Sequence, residues 1–159
     1  MIYYSAVTKG GGSTERQVIY SSCVAETERA GANTADRALA KYPGRLLFIK
    51  LEGTLGAGKT AFTKGVASVI SPGSRAKSPS YTIVNEYRRG ALPLFHFDLY
   101  RLGDDADLSD IGFEEYVKRG HCVIEWSEYL ADDADADVLI KVKITPKNDD
   151  EREIEIIYP

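Results

Sequence analysis

The segment spanning residues 53–60 carries the most specific chemistry in the chain. It reads Gly-Thr-Leu-Gly-Ala-Gly-Lys-Thr and matches the pattern G-x-x-x-x-G-K-[ST] at every fixed position. Glycines at these positions let successive backbone N–H groups turn inward and form a nest for anions. Lys59 of such a loop reaches the β- and γ-phosphates, and the hydroxyl of Thr60 ligates Mg²⁺. The segment therefore predicts a site for a nucleoside triphosphate with magnesium.

A loop of this kind needs an acidic residue near the magnesium, at the end of a neighbouring strand. Asp98 fits because it ends the apolar run 92–97, and ligands of open α/β sheets bind at the carboxyl ends of strands. A structural ion pair with Arg101 or a helix cap is the alternative. Glu125 likewise follows the apolar residues 122–124 and could complete the water shell of the metal or orient the attacking water. Its alternative is a solvated glutamate at a strand end.

Two further residues lie beside these carboxylates. His96 shares a strand face with Asp98, and we interpret it as a hydrogen-bonded strand residue because Mg²⁺ prefers oxygen ligands. We expect His96→Ala to spare most ATP turnover. Trp126, the only tryptophan of the chain, either lies near the nucleotide or fills the core, which is the commoner fate of this residue type.

The interval between the phosphate-binding loop and Asp98 often houses a loop that senses the γ-phosphate in triphosphatases. Residues 77–82 supply hydroxyl groups for such a role, and a proline stiffens the turn. An ordinary exposed loop explains the same residues equally well. The candidate switch-like residues are Ser78, Pro79, Ser80, Tyr81 and Thr82.

Helical and strand-like segments alternate around these residues and predict a three-layer α/β domain with a mixed sheet. A pair of alternating runs around a polar turn predicts a C-terminal antiparallel hairpin. The predicted strands are 17–22, 45–51, 81–87, 92–97, 121–126, 138–144 and 153–158, and the predicted helices are 24–42, 59–70 and 107–120.

Length and composition favour one domain, since 159 residues with 43% hydrophobic residues suffice for a core. We predict that this domain spans residues 17–159 and that residues 1–16 are an extension. Glycines and a serine at 10–13 are typical of a flexible linker. Residues 1–7 could add an edge strand or form a floppy arm.

The net charge of −4 argues against a large independent surface for nucleic acid, which usually shows a basic excess. Cys23 and Cys122 form no metal-binding or redox pattern, and we expect them to be reduced core residues. The sequence shows neither a signal peptide nor a membrane span. We therefore expect a cytoplasmic protein.

Four stretches occur in this order in a short chain, GTLGAGKTAF, SPSYTIVNEY, HFDLYRL and VIEWSE. Together they resemble the TsaE family, ATPases of bacterial tRNA threonylcarbamoyladenosine biosynthesis. The resemblance runs from about residue 17 to the C-terminal hairpin and implies a P-loop NTPase-like fold. It also implies a weak, Mg²⁺-dependent ATPase that acts with the TsaD and TsaB subunits. Those partners would hold the tRNA, and ATP hydrolysis would reset the assembly between turnovers.

The resemblance assigns roles to matching positions. Asp98 would be the Walker B-like carboxylate, Glu125 would lie at the metal with Thr60, and Trp126 would lie near the nucleotide. Lys59, Asp98 and Glu125 are thus the expected catalytic residues. The loop residues expected to bind ATP are Gly53, Thr54, Leu55, Gly56, Ala57, Gly58, Lys59, Thr60 and Ala61.

The segment before the first helix resembles the part of the family that encloses the nucleotide, with Ser22 and Thr27 as candidates. Two positions depart from the family pattern. Thr54 stands where an aspartate is common, and Ala61 stands where a second threonine is common. The change at Ala61 removes a hydroxyl for the α-phosphate and is expected to weaken binding.

Two other functions use the same loop. A small-molecule kinase would need an acceptor pocket and an arginine-bearing lid. A nucleotide-gated binding module would hydrolyse ATP only incidentally. A GTPase fits less well, because the chain lacks the base-reading sequence N-K-x-D.

Overall fold

The computed structural model describes residues 2–9, 12–103, 108, 111–130 and 135–159, and side chains from residue 14 onward. The described residues form one eight-stranded sheet in the order β1-β2-β8-β7-β3-β6-β5-β4. No helix in this part of the chain has the length and apolar character needed to cross a membrane. The elements are β1 (Ile2–Lys9), β2 (Gly12–Ser21), α1 (Val24–Lys41), β3 (Leu47–Glu52), α2 (Lys59–Ile70), β4 (Val84–Tyr87), β5 (Leu94–Asp98), α3 (Phe113–Arg119), β6 (His121–Glu125), β7 (Val138–Pro146) and β8 (Arg152–Tyr158).

The centre of the sheet is parallel. Strand β3 pairs in parallel with β6 and β7, and β6 pairs in parallel with β5. Strands β5 and β6 are buried along their whole length, as expected for parallel strands covered on both faces. Because these strands run in one direction, the phosphate-binding loop, Asp98 and Glu125 all follow the same edge of the sheet. Asp98 and Glu125 are register partners.

Helices cover both faces of the sheet. One core cluster joins α1 and α2 to β3, β7 and β8, and the second joins α3 to residues of β5 and β6. Helices α1 and α2 approach closely at two glycines, because a Cβ atom on Gly31 would lie 2.0 Å from the Phe62 carbonyl oxygen and one on Gly65 would lie 1.8 Å from that of Glu28. This contact fixes the helix that starts at Lys59. The three-layer α/β prediction is confirmed.

The outer strands are antiparallel. The predicted C-terminal hairpin is formed by β7 and β8, and β8 pairs with β2. Strand β1 pairs with β2 as the edge strand that was one of two expectations for residues 1–7. Strand β2 begins at Gly12 and therefore crosses the predicted boundary after residue 16. Gly12 and Ser13 belong to a strand, which corrects their assignment to a linker, while residues 10 and 11 lie outside the described part.

Two other predicted elements are shorter than expected. Helix α3 covers only Phe113–Arg119 of the predicted 107–120, and residues 107, 109 and 110 lie outside the described part. Strand β4 begins at Val84, because the N–H groups of Thr82 and Ile83 both donate to the Pro79 carbonyl and close a turn. Ile83 takes a positive φ of 66° at the end of that turn.

The two cysteines have different environments. Cys122 is buried, and burial raises the pKa of its thiol to about 12. Cys23 is exposed at the N-cap of α1, so the expectation that both are core residues is wrong for Cys23. A residue before a helix on the outer face cannot be placed in a core by composition alone.

Candidate nucleotide-binding site

The turn between β3 and α2 contains glycines whose backbone conformations favour glycine. Gly53 has a φ of 148°, and a Cβ atom there would lie 2.5 Å from the Ile144 carbonyl oxygen. Gly58 is the N-cap of α2 with a φ of 110°, and a Cβ atom would touch Thr27 at 3.4 Å. Both positions are in conformations that only glycine adopts without strain. The turn therefore exposes backbone N–H groups and the start of α2, which suits an anion.

Lys59 is 5% exposed and makes contacts within the loop. Its Nζ donates to the carbonyl oxygens of Gly53, at 2.5 Å, and Thr54, at 3.0 Å. The same atom lies 3.6 Å from the ring centroid of Trp126, a cation–π contact. Burial lowers the pKa of Lys59, although nearby carboxylates, first Glu125, oppose this shift. The ammonium group is thus held at the loop with one side against an indole ring.

Glu125 is 2% exposed and has three hydrogen-bonding partners. Its Oε2 accepts from the Thr60 hydroxyl at 3.0 Å. Its Oε1 lies 2.7 Å from Nε2 of His96 and 3.3 Å from the Thr63 hydroxyl, whose single proton is shared with the Lys59 carbonyl at 3.0 Å. The glutamate is therefore a buried, hydrogen-bonded carboxylate behind the loop. It is not the solvated strand-end residue of the alternative interpretation.

Asp98 is 5% exposed and is held by a different set of donors. Its Oδ2 accepts from the hydroxyls of Ser78, at 2.6 Å, and Ser80, at 2.9 Å, and its Oδ1 accepts from the Tyr100 N–H at 3.1 Å. Arg101 does not pair with it but lies over the ring of Tyr81, 4.1 Å from the centroid. The alternative interpretation of Asp98, a structural ion pair with Arg101, is therefore not what the structure shows.

The switch-like residues divide into two groups. Ser78 and Ser80 reach Asp98, and Pro79 between them is buried. Tyr81 is 85% exposed, and Thr82 is exposed and bonded to Asn85. The first group belongs to the site around Asp98, whereas the second faces outward.

A cavity of about 280 Å³ brings most of the predicted site residues together. Trp126 forms one wall, at a positive φ of 60°, with its ring 4.8 Å from that of Tyr100. Gly53 and Thr54 do not line the cavity, but their carbonyl oxygens accept hydrogen bonds from Nζ of Lys59. The lining residues are Leu55, Gly56, Ala57, Gly58, Lys59, Thr60, Ala61, Ser78, Ser80, Asp98, Tyr100, Glu125 and Trp126.

The donor set of this cavity fits magnesium and phosphate. Thr60, Asp98 and Glu125 offer only oxygen atoms, which hard Mg²⁺ prefers. An ionised carboxylate has about four acceptor positions, and described residues fill three on Asp98 and three on Glu125. No cluster of three or more His, Cys, Asp or Glu side chains suited to a metal occurs among the described residues. A magnesium ion here would therefore need phosphate and water ligands as well.

A second cavity, of about 530 Å³, opens at the same edge of the sheet next to the loop. Ser22 lines it, and the Ser22 hydroxyl and N–H both donate to Glu26. Thr27 is buried, hydrogen-bonded to Ser21 and in contact range of Gly58. Ser22 thus belongs to the second cavity, and Thr27 lies between that cavity and the loop. Arg152 lines the second cavity and also approaches Gly58.

Sequence reasoning missed several residues of the site. Thr63 lies one helical turn after Thr60, so its position on the same helix face could have indicated it. Tyr100 contacts Trp126 with its ring tilted by 39°, and Arg152 comes from the C-terminal hairpin, so neither has a local sequence signal. His96 was placed on the correct face but not next to Glu125. This proximity depends on the register between β5 and β6, which local patterns do not encode.

Comparisons with known proteins agree with this architecture. The family described as threonylcarbamoyl adenosine biosynthesis protein TsaE matches residues 22–154. The chain is 42% identical over 113 residues to a tRNA threonylcarbamoyladenosine biosynthesis protein TsaE of Bacillus subtilis, covering 70% of this chain and 68% of that protein. It is 37% identical over 131 residues to the protein of that name from Haemophilus influenzae, covering 81% of each chain. The crystal structure of Bacillus subtilis YdiB superimposes with a TM-score of 0.70 at 29% identity, covering 93% of this chain and 88% of that one.

Proposed function

Since the chain belongs to the TsaE family, which acts in tRNA threonylcarbamoyladenosine biosynthesis, we propose that it is a Mg²⁺-dependent ATPase of that pathway. One observation carries the proposal. A buried lysine, a threonine hydroxyl and two strand-end carboxylates converge on one cavity at the mouth of a glycine-rich anion nest. ATP would be hydrolysed to ADP and phosphate, slowly in the absence of partner proteins.

The chain's own residues would perform most of this work by positioning and charge neutralisation. Backbone N–H groups of residues 55–60 would hold the phosphates, and Lys59 would leave its carbonyl partners to reach the β- and γ-phosphates. When bound, Mg²⁺ would neutralise phosphate charge between Thr60 and the carboxylates. Glu125 would orient the attacking water, and Asp98 and Thr60 are the residues that would hold the metal.

The nucleoside would lie in the second cavity. That cavity adjoins the loop at the junction formed by Thr27 and Arg152, and it is lined by Ser22 and by residues of α1 and the β7–β8 turn. Its volume of about 530 Å³ is within the usual range for small-molecule sites. The absence of a hydroxyl at Ala61 would reduce contact with the α-phosphate and weaken binding.

The partners would be the TsaD and TsaB subunits, and tRNA would contact this chain only through them. A net charge of −4 supports a protein that does not itself bind the RNA backbone. The pathway acts on tRNA, which supports a cytoplasmic location without membrane attachment. A pull-down in the presence of ATP, analysed by mass spectrometry, would recover these two subunits. Recovery of unrelated proteins only would contradict the partner assignment.

The activity is tested with the full chain by calorimetric binding of ATP and by phosphate release, with and without Mg²⁺. Lys59→Ala is expected to lower both ATP affinity and turnover by at least about tenfold, because it removes a charge-assisted contact to phosphate. Lys64→Ala is the matched control, since Lys64 lies on the same helix, is about half exposed and pairs with Glu28. Equal behaviour of the two variants would overturn the phosphate site. Transfer of phosphate to a metabolite would favour a kinase instead.

A further inference from the structure

His96 is a fully buried polar residue next to the site, and the proposed mechanism gives it no role. It is 0% exposed on β5, between the register partners Asn85 of β4 and Val123 of β6. The Tyr87 ring covers it at a centroid distance of 6.4 Å. A polar ring in this position is costly unless it is hydrogen-bonded.

Its only hydrogen bond in the described part of the chain goes to Glu125. Nε2 lies 2.7 Å from Oε1 of Glu125, whereas Nδ1 is buried and has no hydrogen-bond partner among the described residues. A proton on Nδ1 would be a buried donor without an acceptor, and one on Nε2 forms a charge-assisted bond to a carboxylate. The geometry therefore assigns the donating proton to Nε2.

This bond acts on one oxygen of Glu125 only. Oε1 is held by His96 and Thr63, both of which are fully buried, while Oε2 meets the Thr60 hydroxyl at the cavity. Rotation of this carboxylate about its terminal torsion would break the hydrogen bond from His96 and the contact with Thr63, whose single hydroxyl proton is shared with the Lys59 carbonyl. Oε2 is consequently kept at the cavity, next to the Thr60 hydroxyl.

We propose that His96 is a positioning residue that orients Glu125 for its work on water or metal. The inference rests on the proposed ATPase function, and it revises the expectation that His96→Ala would be nearly silent. His96 itself lies behind the carboxylate and does not line the cavity. It acts only through Glu125.

The kinetic test compares His96→Leu, which removes the donor at similar volume, with His96→Gln, whose side-chain amide can donate near the position of Nε2. His96→Leu is expected to lower kcat about tenfold or more with KM for ATP within about threefold of wild type, and His96→Gln to restore most of the loss. His121→Asn is the matched control. His121 is the other histidine of the chain, lies at the opposite end of β6 and accepts from the Leu47 N–H through Nδ1, a bond that asparagine can replace.

A second measurement does not depend on activity or on the variants of His96. With only two histidines in the chain, the imidazole nitrogens of the uniformly ¹⁵N-labelled protein can be assigned by NMR using His121→Asn. The Nε2–H proton of His96 is expected to resonate downfield and to move upfield in Glu125→Gln, and to move far less in Asp98→Asn.

The outcomes separate the two proposals. Two results would overturn the role of His96 and leave the proposed ATPase function intact. One is an unaltered kcat in folded His96→Leu, and the other is an equal loss of kcat in the leucine and glutamine variants. A protein without any ATP turnover would overturn the ATPase. In that case the NMR experiment decides the inference, because an Nε2 atom without a proton, or one insensitive to Glu125→Gln, would refute the link.

Discussion

Asp98 and Glu125 are neighbours at the ends of paired strands, yet they are held in opposite ways. Asp98 takes its hydrogen bonds from the hydroxyls of Ser78 and Ser80, which belong to an irregular loop, and from a backbone N–H. Glu125 takes all of its bonds from buried or half-buried side chains of α2 and β5. Two carboxylates at one place are therefore supported differently, Asp98 by an irregular loop and Glu125 by a helix and a strand, and we expect the second support to be the more rigid.

This difference separates their proposed tasks. A change at Asp98, such as the binding or loss of a metal, would alter the hydrogen bonds of two serines and so affect the conformation of their loop. A carboxylate supported by a helix and a neighbouring strand keeps its position relative to the phosphate-binding loop. Local stability varies in this way across proteins, and segments that move come from the less stable parts.

The largest effect is expected from removing the loop-supported carboxylate itself. Asp98→Ala should reduce ATP turnover by at least about 100-fold, because a preorganised charge at the metal is lost. Phosphate release by the full chain in Mg²⁺ measures this. Wild-type turnover in this variant would refute the metal assignment of Asp98. The proposed division of tasks between Asp98 and Glu125 would then be wrong.

The rigid support can be tested by unfolding in denaturant. Thr63→Val should lower the free energy of unfolding by about 1–3 kcal/mol, since it removes a buried hydroxyl whose single proton is shared between Glu125 and the Lys59 carbonyl. Ser80→Ala, on the loop side, should change it by less than about 0.5 kcal/mol, because Ser80 is half-buried and Ser78 still bonds to Asp98.

Thr63→Ser controls for the hydroxyl, which it retains. Its effect should be the smaller of the two changes at position 63. If Ser80→Ala were as destabilising as Thr63→Val, the two carboxylates would have equally rigid supports and the proposed division would be wrong.

The smallest effect concerns the histidine at the other end of β6, which has no carboxylate partner comparable to Glu125. Burial lowers the pKa of His121, so the unfolded chain binds its proton at higher pH than the folded chain does. Stability from this group is therefore present above the unfolded pKa and is lost as the pH falls below about 6.5. Between about pH 7.5 and pH 5.5, wild type should lose up to about 1.4 kcal/mol more than His121→Asn.

Denaturant midpoints at the two pH values, with slopes held constant, measure this difference. Identical pH dependence in the two proteins would show that His121 is protonated as easily in the folded chain as in the unfolded chain.

Much of the fold follows from local patterns. Helix α2 begins and ends where the apolar spacing and the loop motif predict, at Lys59 and Ile70. The strands that end in Asp98 and Glu125 were found because a continuous apolar run followed by an acid is a strong local signal. Lys59 and Thr60 were placed in the site because they occupy fixed positions of a local motif.

Most of the parts that could not be predicted depend on contacts between distant segments, but one is local. The Pro79 carbonyl accepts the N–H groups of the residues three and four positions later, and this turn shortens β4 although the residues after it are typical of a strand. The pairing of Arg101 with Tyr81, and not with Asp98, depends on where that turn leaves the tyrosine. The distance from His96 to Glu125 depends on strand register.

The contacts of Lys59 have a thermodynamic consequence for nucleotide affinity. Two backbone carbonyls and the Trp126 ring already satisfy its ammonium group, so an arriving triphosphate exchanges bonds and does not simply add them. The net gain in free energy is the difference between the contacts of Lys59 with the phosphates and its contacts within the protein. The apparent affinity for the triphosphate is therefore lower than it would be if the ammonium group were only hydrated. The lysine returns to its contacts within the protein when the product dissociates. Under the proposed function, the protein would bind ATP modestly and release ADP readily, which suits a component that must be reset once per cycle.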